Sequence, residues 1–530
     1  MSTSELLNHW VQYLAQSRLK DDVKGSHIVL AVFLIAILSI VFSSHLTSAR
    51  QRYVPGVPIV GGADKASIKK NRLRFVNDSM NMLSEGYEDT RGGIFYVPTK
   101  LGERLMLPVK YLDELKSAPV NEVDFVATFI EMFEGKYTTM GSRSTLHPRV
   151  VRGQLNRNLW TVMDEIQDEI RDAFDDAFPA CDEWTEVNVV HRITQIVARV
   201  SSRMFGGKEL SQNKEWVQSS IAFAIDGFIG AQEIKKYPEF LKPLVANRIA
   251  SIQNIKKHYV AAEKAAIPLI ERRRASGEDA PDLLYWMDED AKGDEKDPAF
   301  LASILLKVSF AAIHTSAAAP SQLLYDLCAR PEYQEPLRQE IMANLSDDGT
   351  LSRQGFQGLT KLDSIMKESQ RFNPLLLITF ERVVTRNYHL SDGLVIPANT
   401  TIGIPTHAIS MDPALYPEPE KFKGFRFHDL HDKAQKQKEE AAKDASDKQR
   451  SSPSVAYAAS HSASMAFGYG RHACPGRFFA SAEIKAIMVY LLMNYDFKFP
   501  EGKPERPQSL QVETQNLPDH DATIMFRRRK

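Results

Sequence analysis

Cysteine is scarce. Cys181, Cys328 and Cys474 are the only three in 530 residues, with no C-x-x-C pair and no even framework. That argues against a disulfide scaffold and a zinc ribbon, and fits a reducing compartment for the bulk of the chain. Charge imbalance is missing too: 66 basic residues stand against 67 acidic, a formal net charge of -1, and no basic stripe interleaves with aromatics. A nucleic-acid partner is set aside on that ground. No internal repeat occurs. What remains is a hydrophobic share of 43% and a charged share of 25%, an ordinary composition for a chain with a real core. The length allows one large domain or two smaller ones.

Charge also vanishes locally. From Gly25 to Ala49 there is no Asp, Glu, Lys or Arg. A helix crossing the hydrocarbon core needs ~20 mostly apolar residues, so 25–49 is long enough to be a transmembrane anchor. The run starts late and is long for a signal peptide, which favours the anchor. Arg50, Arg52, Lys65, Lys69 and Lys70 follow it, against Arg18, Lys20 and Lys24 before it, an asymmetry that favours a cytosolic main body. In the tail, 1–24, Leu6, Leu7, Trp10, Val11 and Leu14 share one helical face; an amphipathic surface helix and a frayed end fit it equally. Residues 50–62 contain Val54-Pro55-Gly56-Val57-Pro58-Ile59-Val60-Gly61-Gly62 and read as a stiff hinge, because the prolines deny a helix.

Beyond the hinge, Ile94–Val97 and Leu105–Val109 favour short strands. Helical periodicity dominates from about 110 to 375, as in Leu159, Val162, Met163, Ile166 and Ile170. Strands return around Leu394–Ile396 and Thr401–Ile404. Residues 431–450, crowded with Lys, Glu, Asp and Gln, read as a charged, solvated insertion. The expected fold is mainly α with a minor β component.

One segment concentrates chemistry: Phe467-Gly468-Tyr469-Gly470-Arg471-His472-Ala473-Cys474-Pro475-Gly476-Arg477-Phe478. Its glycines allow tight turns and close approach. An apolar helical stripe follows, so the cysteine stands just before a helix N-terminus, where a thiolate is favoured. The overlap with G-x-G-x-x-A carries little weight, because no βαβ unit surrounds it. A structural loop with a buried thiol is the other plain reading.

The segment resembles the haem-binding signature of the cytochrome P450 family, F-x-x-G-x-[RH]-x-C-x-G, at every position. The resemblance implies a P450-like fold over a catalytic domain at 63–530. It makes Cys474 the proximal ligand of a haem b iron, where a thiolate pushes electron density toward the metal. Phe467 would shield the sulfur, Gly476 would allow close approach, and His472 would meet a propionate, with Arg382 as a further propionate partner. Glu368 and Arg371 form E-x-x-R, one helical face apart, and Arg426 matches the arginine that joins them; the trio supports the haem loop. Gly424 and Phe425 stand where the family often has Pro and Glu. The interval from Arg371 to Cys474 is long for the family, and the charged stretch at 431–450 accounts for the excess.

On the oxygen side the chain departs from the pattern [AG]-G-x-[DE]-T-[TS], reading Ala311-Ala312-Ile313-His314-Thr315-Ser316. Thr315 matches the catalytic alcohol. His314 replaces the acid, either as a proton relay or as a packed histidine bonded to a neighbour. Pro320 should distort this helix. The variant resembles fungal members that oxidise terpenoid secondary metabolites. The resemblance implies a single-pass protein of the endoplasmic reticulum membrane that takes electrons from an NADPH-cytochrome P450 reductase and uses O2 on a lipophilic substrate. Three alternatives stay open: rearrangement, ring expansion or desaturation without retained oxygen, a haem-binding sensor, and a scaffold with no haem.

Overall fold

The computed structural model describes residues 53–441 and 455–530. The expected tail and anchor, and residues 442–454 of the charged stretch, lie outside the described residues. Two compact units are present. The short segment Tyr237–Leu244 belongs to one, and Arg52–Lys236 with Val245–Lys530 forms the other, to which everything below refers.

Residues 53–62 lie along the sheet edge. The Tyr96 N–H donates to the Pro58 carbonyl (2.8 Å), and the Val60 N–H to the Tyr96 carbonyl (2.9 Å). Helix α1 (Lys65–Asp89) follows, capped by the Asp64 carboxylate, which accepts from the Ala66 and Ser67 N–H groups. Next come β1 (Phe95–Thr99), β2 (Gly102–Met106), β3 (Val123–Asp124) and α2 (Phe125–Met132), whose cap is Asp124.

The helical half comprises α3 (Met163–Ala177), α4 (Val189–Ser211) after strand β4 (Thr185–Asn188), α5 (Lys214–Ile234), α6 (Ala250–Ser276), α7 (Pro298–Ala329) and α8 (Thr360–Phe372). Strands β5 (Ile378–Val384), β6 (Tyr388–His389), β7 (Val395–Ile396) and β8 (Thr400–Pro405) precede α9 (Arg426–Ala441) and α10 (Arg477–Asn494). The chain closes with β9 (Tyr495–Lys498), β10 (Leu510–Val512), β11 (Gln515–Leu517) and β12 (Thr523–Arg528). The main sheet has the order β1-β2-β8-β5-β3, with β2 and β8 parallel.

Helix α7 runs through the middle of the core, against α4, α5, α6, α8 and α10. Asp297 caps it and Pro298 opens it, the arrangement that satisfies a helix start. At 32 residues it is about 48 Å long. It is apolar and long enough to cross a membrane, yet its apolar residues are spent on core packing. The distortion expected at Pro320 is not found: the helix keeps helical backbone angles through this buried proline. The helix expected through Leu159 to Ile170 is interrupted, with a 3-10 turn at Leu159–Thr161 before α3. The start of the charged stretch is helical, as the second half of α9.

Candidate active site

The cysteine loop is a set of turns that its glycines make possible. The Cys474 N–H donates to the Phe467 carbonyl (2.7 Å), and the Gly468 N–H to that of Met465 (2.8 Å). Gly468 and Gly470 have φ of +73° and +68°, a region where a side chain is strained. At Gly470 a Cβ would also lie 2.5 Å from the Lys116 Cβ. Gly476 has an ordinary φ of −88° and caps α10. The Gly476 and Arg477 N–H groups donate to the Cys474 sulfur.

Electrostatics set this cysteine apart. Burial is the larger influence and leaves the Cys474 thiol above its ordinary value, with those two N–H groups and the Arg477 charge working against it. Cys328 is pushed up by burial with nothing opposing it. Cys181 is raised by burial too, and the Thr185 hydroxyl alone works against that. Among the described cysteines, only Cys474 has both backbone donors and a cation beside its sulfur, the setting in which a thiolate is held.

Cations gather beside the loop. His472 stacks on Phe125 with ring centroids 5.5 Å apart, and the Arg382 guanidinium lies over the same Phe125 (4.8 Å) and over Phe380 (4.3 Å). Burial, then the charges of Arg382, Arg152 and Arg471, pulls the His472 pKa down to about 4. Burial lowers Arg382 to about 10, with Asp124 opposing. Asp124 is the nearby carboxylate, and Arg143 already binds it (2.9 Å). Positive charge in excess of its partners suits a ligand with anionic edges. Together with a donor-supported sulfur, this set fits an iron porphyrin and its two carboxylates.

One face of helix α7 is uncovered. Ala311 and Thr315, one turn apart, are exposed although they sit mid-way along a core helix, and Ala312 and Ala319 are half-exposed. The Thr315 hydroxyl donates to the Ala311 carbonyl (2.7 Å). His314 points elsewhere: its Nε2 meets the Ile221 carbonyl on α5 (3.0 Å), and burial lowers its pKa. Above this face, Phe310 contacts Phe133 (5.3 Å), Phe129 (6.0 Å) and Phe223 (6.4 Å) edge-on, making an aromatic wall. Helix α2 thus reaches from His472 at its start to Phe310 at its end.

Below, the support network is buried. Arg371 grips Glu368 through two bonds of 2.9 Å, and the Arg426 Nε donates to the same carboxylate (3.1 Å). Arg426 also donates to the carbonyls of Pro417, Glu418 and Lys421. Gly424 has a local reason: its N–H meets the Tyr333 hydroxyl (3.1 Å), and a Cβ there would lie 2.8 Å from that ring. Phe425 stacks edge-on against Tyr333 as well (5.1 Å). Phe467 packs against Tyr457 (5.3 Å).

Several residues of this site carry no sequence signal. Arg152 donates to the Arg471 carbonyl (3.0 Å) and Asn156 to that of Pro475 (3.2 Å), both from a segment more than 300 positions away. Phe125 is one of 27 phenylalanines. Glu483, fully buried on α10, accepts from the Ser201 hydroxyl (2.7 Å), and burial raises its pKa to about 8, with Ser201 and Ser316, next to Thr315, pulling against it.

Comparison with known proteins agrees with this geometry. The family described as Cytochrome P450 matches residues 134–520. "Cytochrome P450 monooxygenase AN1598" of Emericella nidulans is 35% identical over 469 residues, 86% of this chain and 84% of that protein. "Cytochrome P450 monooxygenase braC" of Annulohypoxylon truncatum is 34% identical, over 89% and 92%. The "Ent-kaurene oxidase" of Gibberella intermedia is 33% identical over 86% and 85%. Among solved structures, retinoic acid-bound cyanobacterial CYP120A1 superposes with a TM-score of 0.64 at 16% identity, covering 90% of this chain and all of that one. The chain belongs to the cytochrome P450 family, monooxygenases that hold haem through a cysteine thiolate.

Proposed function

We propose that this P450 oxidises a lipophilic, terpenoid-like secondary metabolite by hydroxylation or successive oxidations. The observation that carries the reading is the aromatic wall of Phe129, Phe133, Phe223 and Phe310 above the exposed Ala311–Thr315 face. Apolar rings there reward burial of a hydrocarbon body at ~25 cal/mol per Å², and offer no charge to orient a small polar substrate. The ent-kaurene oxidases among the relatives support a terpenoid.

The balance is RH + O2 + 2 electrons + 2 protons giving ROH + H2O. A separate NADPH-cytochrome P450 reductase would supply the electrons, at the endoplasmic reticulum membrane that the charge-free run 25–49 would anchor, with the catalytic domain in the cytosol. Haem supplies dioxygen reduction and cleavage when bound. Cys474 is the iron ligand, its sulfur steadied by the Gly476 and Arg477 N–H groups, with Phe467 beside it. His472, Arg382 and Arg152 hold the carboxylate edges. Thr315 presents Oγ1 on the open face, its proton resting on the Ala311 carbonyl until it is drawn away. His314 has its Nε2 committed to Ile221, so a relay through this residue runs by Nδ1. Glu368, Arg371 and Arg426 brace the loop.

The test is incubation of microsomes carrying the full chain and reductase with NADPH, 18O2 and a panel of diterpene hydrocarbons. A product heavier by one labelled oxygen is expected. Products without label would overturn hydroxylation in favour of rearrangement or desaturation, and no substrate-dependent NADPH use would favour a sensor.

A further inference from the structure

The aromatic wall ends in a polar pair that nothing above uses. From Phe310, Phe133 leads to a small cavity lined by Met132, Phe133, Phe228, Ala231, Glu513 and Gln515, with about 10 Å³ of room for the centre of a water-sized group. That is space for a single oxygen atom with its hydrogen. At its edge Glu513 faces Lys235, the last-turn neighbour of α5, with Nζ and Oε2 3.9 Å apart. Both side chains are withdrawn from solvent, 9% and 17% exposed. Yet the Lys235 Nζ makes no hydrogen bond, and neither does the Glu513 Oε1. Buried charged donors and acceptors left unmatched are costly.

Glu513 is held there deliberately. It occupies the tip of the β10–β11 hairpin at φ +54°, a strained value for a residue with a side chain. Its N–H is fixed to the Val76 carbonyl (2.8 Å), and the Leu377 N–H donates to the Thr514 carbonyl (2.8 Å). Other charges act on the pair through space, Arg104 on Glu513 among them, but none gives Nζ or Oε1 a hydrogen bond. Arg104 is committed to Glu381, and Glu131 and Glu134 act on it only at longer range.

We propose that Lys235 and Glu513 form a recognition site for a hydroxyl group at the end of the substrate remote from the oxidised carbon. Lys235 and Glu513 face each other at ion-pair distance but leave Nζ and Oε1 without hydrogen bonds, and a hydroxyl matches both at once: its oxygen accepts from Nζ and its proton goes to Oε1. A carboxylate would meet Lys235 but be repelled by Glu513, and a pure hydrocarbon would leave both unmatched. The substrate class is therefore an already oxygenated terpenoid, apolar along the phenylalanine wall and alcoholic at its far end. A hydroxylation or a hydrolysis must precede this step in the sequence of reactions. This deepens the terpenoid reading and rests on it.

The experiment is a spectral binding titration of the haem-loaded full chain in microsomes, with a diterpene hydrocarbon and a set of its mono-alcohols as probes. Wild type, Lys235→Met and Glu513→Gln are compared, each first shown to give the thiolate carbon-monoxide band. In wild type one alcohol should bind about ten- to a hundredfold more tightly than the hydrocarbon, the size of hydrogen bonds to charged groups. Lys235→Met should erase that preference while leaving hydrocarbon affinity within about twofold, and Glu513→Gln should weaken it. An alcohol-to-hydrocarbon ratio near one in wild type, or one unchanged in both variants, overturns the proposal and leaves the pair to water. If the hydrocarbon and all alcohols fail to bind, the terpenoid reading falls and takes this one with it.

Discussion

The buried carboxylate of Glu368 is the point where a single atom change should do most damage to the fold. It is completely buried, with Arg371 3% and Arg426 6% exposed around it. It accepts two bonds from Arg371, a bifurcated one from the Arg426 Nε (3.1 and 3.2 Å), and one from the Lys423 N–H (2.9 Å). Glu368→Gln keeps the shape and removes the charge, leaving two buried guanidiniums without a counter-ion. Breaking a buried pair in this way costs about 3–5 kcal/mol, a factor of about 10² to 10⁴ in the folded population. Arg426→Met should cost less, about 1–3 kcal/mol, because Glu368 keeps Arg371 and only backbone carbonyls are left short. The assay is urea-induced loss of the carbon-monoxide band of the reduced thiolate form, with all three proteins at one pH. The midpoint should fall in the order wild type, Arg426→Met, Glu368→Gln. Equal midpoints for Glu368→Gln and wild type would refute the claim that this carboxylate neutralises both arginines.

Three further outcomes are expected. His407 is buried with an unpartnered Nδ1, and burial, aided by the Arg371 charge, pulls its pKa down to about 4. The fold therefore favours the neutral ring, its contribution is complete above the unfolded pKa of ~6.5, and it is lost as pH falls toward 4, by up to about 3 kcal/mol; thermal melts at pH 7 and 5 should show a smaller acid-induced drop for His407→Leu. Thr315→Ala removes a hydroxyl bonded only to carbonyls of its own helix, so stability should change by less than about 1 kcal/mol, whereas product per NADPH consumed should fall several-fold; unchanged coupling would count against Thr315 as the proton-presenting alcohol. Cys474→Ser removes the sulfur ligand and should abolish the red-shifted carbon-monoxide band and all turnover, and retention of either would sink the assignment.

What the linear chain determined by itself is what short spacing can encode. The cysteine loop, with positive-φ glycines within six residues of Cys474, is local geometry. Glu368 and Arg371 meet because three residues are nearly one helical turn. Ala311 and Thr315 share one face of their helix by the same period. Gly424 was legible only as a departure, and became intelligible once Tyr333, 91 positions away, was seen against it.

Tertiary structure decided the rest, because those contacts join positions with no sequence relation. Arg152 reaches the Arg471 carbonyl, and Phe125 the His472 ring, from segments more than 300 residues upstream. His314 finds Ile221 across 93 positions, which turns an apparent substitute acid into a group tethered to α5. Lys235 meets Glu513 only where the end of one helix and the tip of a distant hairpin converge. Periodicity tells which face of an element is buried, but not which foreign side chain lies on the other side. That choice is made by packing of the whole core.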